Sequence, residues 1–164
     1  MDALIKLNQK IRRIILLFIV GLVLSGLTAL PIEHQLQWAH DHISKSNLFI
    51  PLVQWIELAY RGVKETNMKY PFISYGTDWL AFAHFVIALV FVGPLRDPIR
   101  NIWVIQFGML ACVLIFPFAF IAGTIRGIPF YWQLIDCSFG LFGGLLLWNC
   151  YFKIQKLEQL LKNL

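Results

Sequence analysis

Between Ser74 and Phe85 the chain sets an acid, Asp78, and a histidine, His84, into the start of a long apolar run. A carboxylate and an imidazole together can pass a proton or hold the polar end of a ligand. At about 100° per helical residue, Asp78, Ala81, His84 and Ala88 share an arc of roughly 120°, a face that is polar and small. His84 lies about 9 Å beyond Asp78 along the axis, at ~1.5 Å per residue. An ionisable side chain inside a bilayer is costly, so each one needs a partner or a purpose. Asp78 and His84 are therefore the candidate catalytic pair. The competing role is structural: Asp78 favoured by the dipole at a helix N-terminus, and His84 hydrogen-bonded to a neighbouring helix.

Asp136 is the second acid within an apolar run, and Arg126 lies close enough in sequence to reach its level. Asp136, Gly140, Gly143 and Gly144 fall on one side of a helix, which places the acid on a seam of close helix contact. Its depth matches that of Asp78. The expectation is that Asp78, His84, Arg126 and Asp136 converge in one outer-half pocket, with Asp136, Arg126, Trp79 and Trp132 binding a ligand. A structural ion pair between Arg126 and Asp136 is the plainer alternative.

A third group follows the first apolar run: Glu33-His34, then His40-Asp41-His42. All three residue types bind metals, yet the spacing fits no motif such as H-E-x-x-H. His34, His40 and His42 are metal-ligand candidates without an assigned site. A bis-histidine haem needs two facing histidines, and only His84 lies inside an apolar run. No cofactor is identified. Cys112, Cys137 and Cys150 sit in apolar runs without C-x-x-C spacing, which disfavours thiol redox chemistry. Phosphate-binding loops, serine nucleophile elbows and zinc-protease signatures are absent from the sequence.

The elements that must position these residues are membrane helices. The chain is 59% hydrophobic and 14% charged, with a mean hydropathy of +0.68. A soluble domain of 164 residues cannot hide that much apolar surface. Uncharged runs extend over Ile14–Ile32, Trp79–Leu95 and Ile102–Ile125, and Gly127–Phe152 is broken only by Asp136. About 20 residues cross a bilayer as a helix. The sequence thus predicts a single all-α membrane domain, a four-transmembrane-helix bundle. Its spans lie near 12–31, 77–95, 102–123 and 131–152, with an outer loop over 33–76.

Basic residues orient it. Lys6, Lys10, Arg12, Arg13, Arg96, Arg100, Lys153, Lys156 and Lys162 fall on one side. Lys45, Arg61, Lys64, Lys69 and Arg126 fall on the other, four of them spread through the long loop. The positive-inside bias puts both termini in the cytoplasm, as in a bacterial inner membrane protein. The net charge of +5 is then a topology signal and not a nucleic-acid footprint. The first run follows a basic start but lacks a small-x-small cleavage site, so it reads as a retained anchor.

Within the loop, Pro51–Thr66 reads as an amphipathic helix. Leu52, Val53, Ile56, Tyr60 and Val63 form one face; Gln54, Glu57, Arg61 and Lys64 form the other. Three function classes follow. The first is a protein that binds or acts on an amphipathic molecule (lipid, isoprenoid or quinone), with this helix as a lid. The second is a non-catalytic accessory subunit of a larger membrane complex, and a homo-oligomer fits the same pattern. A transporter is disfavoured, because the inner half offers little polar beyond Gln106 and Asn149.

Overall fold

The computed structural model describes residues 2–43 and 49–163; Lys45 and Asn47 lie outside them. Among the described residues every regular element is a helix. In order these are α1 (Asp2–Leu27), α2 (Ile32–Ile43), α3 (Ile50–Lys69), a 3-10 turn (Pro71–Ile73), α4 (Tyr75–Val90), α5 (Val92–Arg96), α6 (Ile102–Ile125) and α7 (Phe130–Lys162). Three stretches are long and apolar enough to cross a membrane: Pro71–Arg96, Ile102–Ile125 and Phe130–Lys162. A fourth candidate is α1 taken with α2, a pair bent by 88° at its break.

That bend departs from the sequence expectation, which carried the first span through residue 31 and left a loop until Pro51. Helix α1 stops at Leu27, and α2 starts at Ile32. Pro31 explains the stop, since its ring disfavours helical backbone at the preceding Leu30. The carbonyls left open at the end of α1 find donors nearby. The Gln35 side-chain amide reaches Leu27 O at 3.4 Å and Leu30 O at 3.3 Å, and Thr28 Oγ1 donates to Ser25 O at 2.7 Å.

The chain divides into two compact units, one of Met1–Val20 with Leu89–Leu164 and one of Gly21–Ala88. The first is built on the α6–α7 pair. A tight link joins these helices: Gly127 takes φ +68°, and the Ile128 N–H returns to Gly123 O at 2.9 Å, a Schellman-type stop. The helices then run antiparallel along small residues. A Cβ on Gly140 would stand 2.7 Å from Cys112 O, and one on Gly143 would stand 3.2 Å from Cys112 Sγ. Further along, a Cβ on Gly108 would stand 2.6 Å from Leu147 Cδ1. Without a hydrophobic driving force in lipid, such backbone approach is what holds two spans together. Ile11 and Ile15 of α1 and Ile154 and Leu157 of α7 complete the buried core of this unit. At 33 residues α7 is about 50 Å long, so it outruns a hydrocarbon core of about 30 Å. The basic segment from Lys153 to Lys162 is the continuation of this helix.

In the second unit, α3 covers the predicted Pro51–Thr66 segment. Ile56 is buried, Leu52, Val53, Tyr60 and Val63 are half-buried, and Gln54, Arg61 and Lys64 are exposed. Its Glu57 and Arg61 form an i,i+4 ion pair. The ring of His40 on α2 stacks on that of Tyr60 on α3, with centroids 5.1 Å apart. On α1 the close contact falls at Gly26. A Cβ there would meet Phe85 Cε1 at 2.8 Å, His84 Cβ at 3.1 Å and Ala81 O at 3.2 Å, whereas one on Gly21 meets nothing within 4 Å.

Candidate functional site

Asp78 and His84 belong to the second unit, Arg126 and Asp136 to the first. Asp78 sits in the first turn of α4, with its backbone N–H on Ser74 O at 3.3 Å and its side chain exposed. A carboxylate there complements the positive end of the helix dipole. Beyond it the helix buries Ala81 and Ala88 and exposes Phe82 and Val86. His84 is half-buried, and Gly26 of α1 packs against its Cβ. Its Nδ1 lies 2.8 Å from Leu80 O, one turn back on the same helix. A carbonyl only accepts, so this contact places the proton of the neutral ring on Nδ1 and leaves Nε2 as an acceptor. The bond therefore runs along α4, in contrast to the interhelical one that a purely structural histidine would make. Trp79 is exposed, edge-on to Tyr75 and Phe82 at centroid distances of 5.9 and 5.5 Å.

Arg126 caps α6 and is exposed; Asp136 is half-buried on α7, one turn beyond Gln133, and Trp132 is half-buried. Among the described residues Arg126 and Asp136 form no ion pair with each other, so the pair offered as the plainer alternative is not made. The reason is local. The Schellman stop and Pro129 set the α6–α7 link by backbone bonds and by Gln133, which does the tethering the ion pair was expected to do. Among the described residues Gln133 is the buried polar residue of this core. Its Nε2 donates to Ile128 O at 2.8 Å, and its side chain fills the space over Gly123, where a Cβ would stand 2.8 Å from Cγ. The signal was present in the sequence, because Gln133 precedes Asp136 and Gly140 on the same helix face.

A second polar feature also went unread. Asn67 Nδ2 donates to Glu33 Oε2 at 2.6 Å, and Ser74 Oγ donates to Asn67 Oδ1. This part-buried chain ties α2 to the end of α3 and to the turn that delivers α4. Its members lie 34 and 7 residues apart, too scattered for any spacing rule to reveal. The three loop histidines do not meet. His34 is exposed, His40 Nδ1 contacts Asp41 Oδ1 at 3.3 Å, and His42 Nδ1 sits 2.8 Å from Trp38 O. Among the described residues no group of three or more His, Cys, Asp or Glu side chains is arranged to hold a metal ion. Cys112, Cys137 and Cys150 are free and buried.

No protein-family model, curated protein or solved structure matches this chain.

Proposed function

We propose that the chain is a four-helix membrane protein that binds, or acts on, an amphipathic molecule (lipid, isoprenoid or quinone) through polar groups at its outer end. Asp78 and His84 on α4 hold the polar part of that molecule. Helices α2 and α3 lie over the outer surface as a cover, and both termini are cytoplasmic. One observation carries this reading. His84 has its Nδ1 engaged by Leu80 O, so a neutral ring offers Nε2, and Asp78 has no side-chain partner among the described residues. An acid without a partner and an imidazole with one nitrogen still open, in a stretch otherwise apolar, mark a place where a ligand supplies the missing partners.

Native mass spectrometry from mild detergent tests it. Asp78→Asn and His84→Ala are expected to lose a bound amphipathic molecule while thermal stability is nearly unchanged. Unchanged ligand content in both variants overturns the reading. A stoichiometric partner protein with no small ligand supports an accessory subunit instead. Orientation is checked separately with reporter tags at Asn47 and Asn101. Modification at Asn47 alone is expected, and modification at Asn101 alone reverses the topology.

A further inference from the structure

At the opposite end of the first unit, the α5–α6 turn, the start of α1 and the end of α7 enclose an open cleft of about 360 Å³. That size lies within the usual range for small-molecule sites. Its apolar wall comes from Leu4, Ile99, Leu157 and their neighbours, and its polar groups are Asn8, Arg96 and Asp97. Each polar group has something left over. Asn8 Oδ1 is buried with no hydrogen-bond partner. Asp97 Oδ1 accepts the Arg100 N–H at 3.0 Å, and its second oxygen has no protein donor among the described residues. Arg96 is exposed and forms no ion pair among them. The nearby Arg12 is already committed, its Nε donating to Leu95 O at 3.0 Å.

An orphaned acceptor and a spare carboxylate oxygen both call for N–H donors, while a guanidinium calls for an anion, ideally a phosphate. One headgroup answers all three. We infer that this cleft binds an aminophospholipid of the phosphatidylethanolamine type, its ammonium held by Asn8 Oδ1 and Asp97 and its phosphate by Arg96. The location suits such a guest. Arg96 to Arg100 connect two apolar helices, so the turn lies at the headgroup level of the bilayer whichever way the protein is oriented. A choline headgroup has the same charge but no N–H, and a glycerol headgroup has no cation. The cleft should reject both.

The test uses the full-length wild-type protein with vesicles carrying phosphatidylethanolamine, its N-methyl and N,N-dimethyl derivatives, phosphatidylcholine and phosphatidylglycerol. Retained lipid is counted by native mass spectrometry. Retention is expected to fall stepwise with each N-methyl group, to roughly tenfold less for phosphatidylcholine, the loss expected for a charge-assisted hydrogen bond. Asp97→Asn keeps the acceptor for the Arg100 N–H, and it should abolish the ethanolamine preference. Arg96→Gln should weaken all phospholipids alike. Equal retention across the N-methyl series overturns the inference without any variant. So does a preference for phosphatidylglycerol, or an ethanolamine preference that survives in Asp97→Asn.

Discussion

Gly140→Val is expected to destabilise the protein by about 2–3 kcal/mol, the upper end of what overpacking costs. A Cβ at this position would stand 2.7 Å from the backbone oxygen of Cys112, 3.2 Å from Phe116 Cε2 and 3.3 Å from Ile115 Cβ. The nearest of these atoms is backbone, so it cannot swing aside as a side-chain tip can. The helices α6 and α7 must separate, and in lipid their close approach is the main attraction between them. Gly21→Ala is the matched control. Nothing lies within 4 Å of its added Cβ, and alanine favours helix over glycine by about 0.5–1 kcal/mol. Thermal unfolding in detergent, followed by circular dichroism, should therefore show a large drop for the first and no drop for the second. If both glycines tolerate substitution equally, the seam does not hold the helices.

The contrast between these glycines shows how far the sequence could be read. The seam on α7 was legible because Gly140, Gly143 and Gly144 recur at helical spacing and must face a partner. Gly21, Ser25 and Thr28 on α1 also recur at helical spacing, yet the contact forms at Gly26, one residue from Ser25 and on a different side. Periodicity identifies a face but does not say which helix covers it, and several faces of an apolar helix are equally plausible. Helix α2 was missed for a related reason. Its segment Ile32–Ile43 holds three histidines, an acid at each end and few aliphatic residues, so composition read it as loop. It is helical because Pro31 starts a fresh turn and because Trp38 stacks on His42 one turn later, with centroids 4.5 Å apart. At the site, the shared face of Ala81, His84 and Ala88 on α4 followed from spacing alone. The tautomer of His84 and the role of Gln133 did not, since both depend on a carbonyl whose position only the fold fixes.

The second large effect is expected at Phe91, and it is best measured as a pair. Its ring is 0% exposed at the break between α4 and α5, packed on Phe18 with centroids 4.7 Å apart. The same ring closes over Gly108, where a Cβ would stand 2.7 Å from Phe91 Cζ. Phe91 thus joins three segments: α1, the α4–α5 corner and α6. In water, replacing a buried phenylalanine by alanine costs about 3–5 kcal/mol. In a membrane the transfer part of that cost shrinks, because the unfolded side chain is still among lipid tails, while the lost dispersion contacts remain. Phe91→Ala is therefore expected to cost about 2 kcal/mol, below the range for soluble cores. Gly108→Ala alone should cost about 1–2 kcal/mol by overpacking against Phe91 and Leu147. The two changes are complementary in volume, since the methyl at 108 enters space the ring has vacated. The double variant should thus be more stable than the sum of the single losses by about 1 kcal/mol, a coupling of the size seen for residues in contact. Strict additivity in the thermal unfolding of the four proteins would mean that the ring of Phe91 does not rest on Gly108. The junction of α1, α5 and α6 would then have to be held by other residues.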